Sequence, residues 1–344
     1  MSLKIGIVGL PNVGKSSLFN ALLKREQALV ANYPFATIEP NIGVISVPDE
    51  RLDKLANWFT LSQSNGFNLE NPPPIVPTAI TFVDIAGLVK GASVGEGLGN
   101  QFLSHIKSAT MILEVVRDFE DPEIIREHSK NPDEDAEIIE TELRLKDIES
   151  LEKKLDSIKK DSSKKEETGF LSSLQEKMSS GEELGISERD AGNEKISAIL
   201  KELNFLSLKP KIYAFNTDAS KIGAFDKKRT LRSKPVIYFS AKTGEGLDDL
   251  IKTCYETLNL ISFLTVGEKE ARAWTVKRGA SAKEAAGVIH SDFEKNFIRA
   301  KVIGWQKLIS TGSFADASSK GLIRTEGKNY VMQDGDVVEF LIGK

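Results

Sequence analysis

The first residues able to do chemistry are the eight at positions 9–16, which read Gly-Leu-Pro-Asn-Val-Gly-Lys-Ser. They match G-x-x-x-x-G-K-[ST], the spacing of a loop that wraps phosphate groups. An apolar run, Lys4 to Val8, precedes them, and a helical pattern, Ser17 to Lys24, follows. Glycines let backbone N–H groups point inward, and a helix N-terminus adds positive potential. The stretch predicts a phosphate cradle, with an ordinary glycine-rich turn as the alternative.

The polar side chains of this cradle have distinct predicted roles. Lys15 is expected to reach the β- and γ-phosphates of a nucleoside triphosphate, and the Ser16 hydroxyl is expected to bind Mg²⁺. Lys15, Mg²⁺ and the backbone amides would then neutralise the charge that develops as the terminal phosphate leaves. The predicted nucleotide contacts of this loop are Asn12, Val13, Gly14, Lys15, Ser16 and Ser17.

A second group of residues is expected to complete the Mg²⁺ site. The apolar run Ala79 to Val83 ends in Asp84, and Gly87 follows in the pattern D-x-x-G. A carboxylate at the end of a strand downstream of such a loop is expected to contact the Mg²⁺, and the Gly87 N–H to contact the γ-phosphate. Thr37 lies between the two motifs, and its hydroxyl is the predicted further Mg²⁺ ligand. Plain loop residues are the alternative.

The pattern of apolar residues predicts the strands and helices that position these residues. Near-continuous apolar runs separated by helical patterns predict a mostly parallel, doubly wound α/β sheet covered on both faces. The predicted strands are Lys4 to Val8, Ala79 to Val83, Met111 to Val116, Lys211 to Phe215 and Val236 to Phe239.

The pattern changes twice along the chain. From about Pro132 to Asn204, apolar residues recur three and four apart among Glu, Lys and Ser, which predicts two long helices in an antiparallel coiled coil joined by a polar turn, Lys159 to Gly169. A solvated, partly disordered insert is the alternative. After Ile261, short alternating runs around a helix at Ser281 to Ile289 predict a small α+β module. The predicted domains are 1–118 with 207–262, the insert 119–206, and 263–344.

Composition limits the function classes. The 344 residues are 40% hydrophobic and 28% charged with a net charge of −4, which is typical of a globular protein and excludes an overall basic nucleic-acid binder. Residues 263–344 hold 13 Lys and Arg against 10 Asp and Glu, so sequence-specific DNA binding is not expected. Cys254 is the single cysteine, and no apolar run is long enough to span a bilayer. We expect a cytoplasmic protein without a membrane partner.

These motifs resemble those of the Obg group of GTPases, and in particular the Obg-like ATPases of the YchF type. The resemblance lies in residues 9–16 and 33–41, in Asp84-Ile-Ala-Gly-Leu-Val-Lys-Gly-Ala-Ser, and in the C-terminal run from Phe263 to Phe340. It implies a P-loop G domain, an inserted helical coiled coil and a C-terminal TGS domain. It also implies binding to the ribosome or its large subunit.

The motifs leave open whether the bound nucleotide is ATP or GTP. Guanine-specific relatives carry Asn-Lys-x-Asp after a strand, whereas this chain has Asn216-Thr217-Asp218-Ala219. The resemblance therefore favours ATP over GTP, although YchF-type proteins usually keep a Glu where Ala219 stands. Ser240-Ala241-Lys242 resembles the base-stacking loop of ordinary GTPases, so GTP stays possible. The predicted base contacts are Asn216, Thr217, Ser240, Ala241 and Lys242.

The motifs also leave open which residue orients the attacking water. Leu88 occupies the position of the Gln that orients water in Ras-like enzymes. The resemblance implies a histidine in the next strand, and the matching residue here is Glu114. It further implies a K⁺ bound by Asn12. Three functions follow: a regulatory ATPase timed by hydrolysis, an Obg-type GTPase proper, or a nucleotide-stabilised ribosome-binding module in which hydrolysis is incidental.

Overall fold

The protein was analysed as a computed structural model, which describes residues 3–30, 41–63, 71–85, 106–121, 129, 131–182, 184–223 and 229–343. The predicted positions Thr37, Gly87 and Leu88 lie outside these ranges. The chain divides into two compact units, Met1–Val44 with Thr81–Leu250, and Ile45–Ile80 with Ile251–Lys344. Among the described residues, no helix is both long and apolar enough to cross a membrane.

Strands and helices are interspersed along the described chain. The strands are β1 (Lys4–Val8), β2 (Ile42–Ser46), β3 (Ile75–Val76), β4 (Ala79–Asp84), β5 (Met111–Asp118), β6 (Lys211–Thr217), β7 (Thr230–Leu231), β8 (Lys234–Phe239), β9 (Leu260–Val266), β10 (Ala271–Lys277), β11 (Phe297–Gly304), β12 (Arg324–Glu326) and β13 (Asp336–Ile342). The α-helices are α1 (Lys15–Val30), α2 (Glu50–Gln63), α3 (Pro132–Ile158), α4 (Lys165–Ser180), α5 (Glu188–Gly192), α6 (Glu194–Leu203), α7 (Ala219–Ile222), α8 (Leu247–Thr257), α9 (Ala282–Ile289), α10 (Ser291–Lys295), α11 (Trp305–Ile309) and α12 (Phe314–Ser319).

A seven-stranded sheet has the order β2-β4-β1-β5-β6-β8-β7. Strand β1 pairs in parallel with β4 and β5, and β6 pairs in parallel with β5 and β8, whereas the short β7 runs antiparallel to β8. All seven residues of β6 and seven of the eight in β5 are buried, as expected for central strands covered on both faces. The predicted doubly wound, mostly parallel sheet is confirmed.

The insert is helical, but its second half differs from the prediction. Helix α3 begins after Asn131, whose side chain accepts from the Glu134 N–H, and it runs for 27 residues. The returning limb is broken into α4, α5 and α6, so the predicted second long helix is wrong. Gly181 ends α4 in the left-handed region at φ 78°, and Ser187 and Asn193 cap the next two helices. The predicted polar turn is also too long, since α4 starts at Lys165.

One apolar cluster holds the insert helices together. Its buried members are Leu151, Ile158, Leu171, Leu174, Met178, Ile199, Leu203 and Phe205. They come from α3, α4, α6 and the residues just after α6, so the predicted helical stripes do pack against one another. The packing of these stripes as a coiled coil stays a prediction.

The second unit contains a six-stranded sheet of order β12-β11-β13-β9-β10-β3. Alternate residues of β9 face two different cores, with Leu264 in one and Phe263 in the other. Helices α2, α11 and α12 contribute to the first core, and α9 contributes to the second. Helix α9 starts with a reciprocal capping box between Ser281 and Glu284.

Residues 45–80 belong to this second unit, whereas the sequence pattern suggested that they were part of the first domain. The reason is the apolar face of α2, which packs into the core that contains Leu264. Its buried members are Leu52, Leu55, Ala56, Trp58 and Phe59. The indole N–H of Trp58 also donates to the Thr311 carbonyl at 2.6 Å. An amphipathic pattern predicts a helix, but it does not say which sheet the helix covers.

Candidate functional site

The predicted phosphate loop joins β1 to α1, and its glycines sit where a side chain would not fit. A Cβ on Gly9 would lie 2.5 Å from the Val115 carbonyl oxygen. A Cβ on Gly14 would lie 2.4 Å from Nδ2 of Asn216, and Gly14 has φ +99°, in the region that favours glycine. Asn12 is also in the left-handed region, at φ 62°. The loop is therefore a tight turn that opens directly into the N-terminus of a helix, as anion binding requires.

Lys15 points back across this loop. Its Nζ donates to the Leu10 carbonyl at 2.7 Å, and the residue is only 9% exposed. Burial lowers the pKa of Lys15 to about 8, although the charge of Asp84 acts in the opposite direction. A buried ammonium with a neutral partner is poorly compensated, so an anionic ligand would be well stabilised beside it.

Two of the three predicted Mg²⁺ residues, Ser16 and Asp84, lie in contact, whereas Thr37 lies outside the described residues. Asp84 is the last residue of β4, and its Oδ2 accepts from the Ser16 hydroxyl at 3.1 Å. Burial raises the pKa of Asp84, opposed by the Ser16 hydrogen bond and the Lys15 charge. A carboxylate and a hydroxyl in contact offer the hard oxygen ligands that Mg²⁺ prefers, so the residues present fit this ion.

Asn216 ties three parts of the site together at the end of β6. Its Nδ2 donates to the Val13 carbonyl at 3.1 Å, and its Oδ1 accepts from the Ala241 N–H at 3.1 Å. The side chain thus connects the phosphate loop with the loop that follows β8. Asn216 is 7% exposed, so both hydrogen bonds are shielded from water. These contacts show how a residue of the base motif can also shape the phosphate loop.

The neighbours of Asn216 differ in accessibility. Thr217 is buried and donates its hydroxyl to the Asp118 carbonyl at 3.1 Å, so its side chain is engaged inside the protein. Asp218 is half exposed and forms an ion pair with Lys221 at 3.4 Å. Ser240 is buried, whereas Lys242 is exposed. The base-contact roles of Thr217, Ser240 and Lys242 stay predictions.

Glu114 lies in β5 beside Val8 of β1, and its carboxylate is fully buried. Its Oε2 lies 3.2 Å from Nζ of Lys211. Burial raises the pKa of Glu114 to about 7, with Lys211 lowering it and Glu140 raising it further. In this arrangement the carboxylate faces an ammonium group and has no exposure to solvent. Its role in orienting water stays a prediction, and its burial argues against that role in this conformation.

Sequence reasoning missed the group of charges around Glu114, here called the Glu140 cluster: Glu114, Glu140, Lys211, Tyr213 and Arg232. Oε1 of Glu140 accepts from the Tyr213 hydroxyl and lies 3.4 Å from Nζ of Lys211. Oε2 of Glu140 accepts from the Arg232 guanidinium. Burial raises the pKa of Glu140, but Lys211, Tyr213 and Arg232 together hold it below its usual value. The sequence signal that could have revealed this cluster was a lysine at the first position of an apolar strand.

Comparison with known proteins identifies the family. A Bacillus subtilis (strain 168) protein named "Ribosome-binding ATPase YchF" is 41% identical over an alignment 377 positions long, which covers 99% of this chain and 99% of that protein. The chain belongs to the YchF family. A Mycoplasma genitalium YchF is 42% identical over 98% of both chains. The structure of the Schizosaccharomyces pombe YchF GTPase matches with a TM-score of 0.82 and 34% identity, over 99% of this chain and 98% of that one.

Two family models match separate parts of the chain. A model described as "50S ribosome-binding GTPase" matches residues 4–159, and the YchF GTPase C-terminal model matches residues 260–343. The predicted resemblance to YchF is confirmed, and so is the predicted fold class of a P-loop G domain followed by a distinct C-terminal domain. In the structure, Asn12 lies in the turn after β1, Lys15 and Ser16 are the first two residues of α1, and Asp84 is the last residue of β4.

Proposed function

We propose that this YchF family member is an Mg²⁺-dependent nucleoside triphosphatase that prefers ATP, accepts GTP, and works in the cytoplasm as a ribosome-associated regulatory switch. The observation that carries the proposal is the phosphate loop with its ion site: Lys15 is buried at the turn, and Ser16 contacts Asp84 at 3.1 Å. Phosphate groups would lie along the loop amides, with Lys15 on the β- and γ-phosphates. When bound, Mg²⁺ neutralises phosphate charge and orients the terminal phosphate.

The preference for ATP rests on the end of β6. In guanine-specific proteins a carboxylate at the position of Ala219 accepts from the base, and a methyl group cannot do so. Asp218, the nearest carboxylate in sequence, is directed to Lys221. The side chain of Asn216 is engaged by Val13 and Ala241, so it holds the two loops together. A site without the discriminating acceptor is expected to admit adenine.

A binding titration tests this preference. Purified full-length chain with Mg²⁺ is titrated with ATP, and GTP is then added as competitor. We expect ATP to bind more tightly, with GTP displacing it at higher concentration. Matched variants sharpen the test: Ala219→Asp should shift the preference towards GTP, whereas Ala219→Ser should leave it unchanged. Tighter binding of GTP by the wild-type chain would favour the Obg-type GTPase instead.

The proposed partner is the ribosome or its large subunit. The support is that the Bacillus subtilis and Mycoplasma genitalium relatives are named ribosome-binding ATPases and that the matching G-domain model is described as a 50S ribosome-binding GTPase. Within the second unit, Lys277, Arg278 and Arg299 are exposed cations available for phosphate contacts. Lys301 is less available, since it pairs with Glu339 at 2.9 Å.

Hydrolysis is proposed to depend on positioning and charge neutralisation, with Asn12 as the ligand of a K⁺ that supplements Lys15. The burial of Glu114 against Lys211 favours the second candidate, a nucleotide-stabilised ribosome-binding module in which hydrolysis is incidental. Single-turnover ATPase rates with and without ribosomes separate the two. Acceleration by ribosomes supports the switch, and equal slow rates support the binding module.

A further inference from the structure

The Glu140 cluster includes several contacts between the insert and the central sheet, and the side chain of Glu140 on α3 makes them. Glu140 lies in α3, whereas Lys211 and Tyr213 lie in β6 and Arg232 lies between β7 and β8. Both oxygens of the Glu140 carboxylate are used, Oε1 by Tyr213 and Lys211 and Oε2 by Arg232. Three side chains from the sheet therefore converge on a single acceptor from the insert. Moving α3 would break all three contacts together.

An open pocket of about 850 Å³ lies beside this cluster, and its lining includes Glu140 and Lys211. Apolar packing also holds α3 on the sheet, since Ala136 of α3 packs with Tyr213 and Phe215 of β6 in one buried cluster. The contacts of Glu140 add a polar link between α3 and the sheet. A second one lies nearby, where Asp147 accepts from the N–H groups of Leu206 and Ser207 at 2.8 Å each.

Strand β6 extends from this cluster to the nucleotide site. Lys211 is its first residue, and Asn216 is five residues further, about 16 Å along an extended strand. Every residue of β6 is buried, and the strand lies between β5 and β8. Backbone pairing joins β6 to both neighbours, so a displacement at Lys211 would be transmitted along the strand to Asn216. There it would alter the hydrogen bonds to Val13 and Ala241.

We infer that Glu140 is a positioning residue for the nucleotide site, acting through Lys211 and Tyr213 on β6 to set Asn216 against the phosphate loop. The inference rests on the proposed function, in which ATP binds at this loop. It makes the insert a sensor: whatever contacts the helices of the insert can change ATP affinity by shifting α3. Neither the phosphate motif nor the base motif contains Glu140, so its effect on binding would be entirely indirect.

A double-mutant cycle on the full-length chain tests the inference. The variants are Glu140→Gln, Asn216→Ala and the double substitution, and the readout is the dissociation constant of ATP with Mg²⁺, measured by calorimetry. Glu137→Gln is the matched control, because Glu137 lies one turn earlier on α3, is exposed, and pairs only with Arg232 among the contacts described, at 3.5 Å. Tyr213→Phe removes one bond to Glu140 without changing charge, and serves if Glu140→Gln folds poorly.

Glu140→Gln is expected to weaken ATP binding about fivefold, the lower end of ordinary coupling between sites. In the Asn216→Ala background it should have no further effect, whereas substitutions this far apart ordinarily act independently. Glu137→Gln should bind ATP like the wild type, and Tyr213→Phe should weaken binding in the same direction as Glu140→Gln. A purely structural role for Glu140 would lower thermal stability without this dependence on Asn216.

Two results would overturn the inference, and they are distinguishable. Unchanged ATP affinity in folded Glu140→Gln and Tyr213→Phe, or full independence from Asn216→Ala, would refute the positioning role alone. Failure of the wild-type chain to bind ATP would refute the proposed function as well.

Discussion

Replacing Asn216 with alanine isolates the connection between the phosphate loop and the base side of the site. The substitution removes the donor to the Val13 carbonyl and the acceptor for the Ala241 N–H, both at 3.1 Å. Each buried group left without its partner costs about 1–3 kcal/mol, so the free energy of unfolding should fall by about 3 kcal/mol. If about half of that energy holds the loop in its binding geometry, ATP affinity should fall about tenfold.

Calorimetric titration with Mg²⁺-ATP and with Mg²⁺-tripolyphosphate distinguishes an effect on binding of the base from an effect on binding of the phosphates. Because Val13 belongs to the phosphate loop, binding of tripolyphosphate should weaken as well, although it has no base. Asn204→Ala is the matched control: its amide donates to the Lys107 carbonyl at 2.8 Å and accepts from Lys209 at 2.9 Å, away from the predicted nucleotide contacts. It should lose comparable stability and keep its ATP affinity. Wild-type affinity in folded Asn216→Ala, or equal affinity losses in both variants, would refute the reasoning.

Four further predictions concern the loop, the ions and the buried carboxylate. Gly14→Ala should weaken ATP binding about tenfold or more, since left-handed strain alone costs about 1–2 kcal/mol and the new Cβ would meet Nδ2 of Asn216; calorimetry measures this. Asp84→Asn should raise the Mg²⁺ concentration for half-maximal ATPase activity about tenfold, as an Mg²⁺ titration would reveal. Burial raises the pKa of Glu114 in the folded protein to about 7 from the 4.5 of an ordinary glutamate. Its contribution to the free energy of unfolding is therefore fully present below pH 4.5 and disappears as pH rises through 7, and Glu114→Gln should lack this pH dependence in urea unfolding at pH 5 and 8. ATPase rates should be higher in K⁺ than in Na⁺, and Asn12→Ala should remove the difference; equal wild-type rates would eliminate the K⁺ site.

Local sequence signals predicted the parts of the site that are close together in the chain. The phosphate loop follows from eight consecutive residues, and Asp84 follows from its place at the end of an apolar strand. Both depend on short-range geometry, in which a strand end and a helix start are joined by a glycine turn. The base motif also predicted Asn216 as a site residue. It did not predict the hydrogen bond between Asn216 and Val13, because these residues are 203 positions apart in the chain.

Long-range packing explains what the sequence did not reveal. The Glu140 cluster requires α3 to lie over β6 in one particular register, and helical periodicity contains no information about that register. The break in the second limb of the insert was readable in principle, because Gly181, Ser187 and Asn193 are typical residues at helix ends. Apolar residues at helical spacing occur on both sides of the break, so the pattern was interpreted as one long helix.

The membership of α2 in the second unit has a consequence for synthesis on the ribosome. Most other buried residues of the core that contains Trp58 and Phe59 lie between Leu264 and Val337, about 200 to 280 residues later in the chain. At roughly 5–20 residues per second, this face of α2 waits about 10–60 s for its core to be translated. The nascent chain must therefore shield two large aromatic groups for most of its elongation, and a product truncated before β9 would leave them without that core.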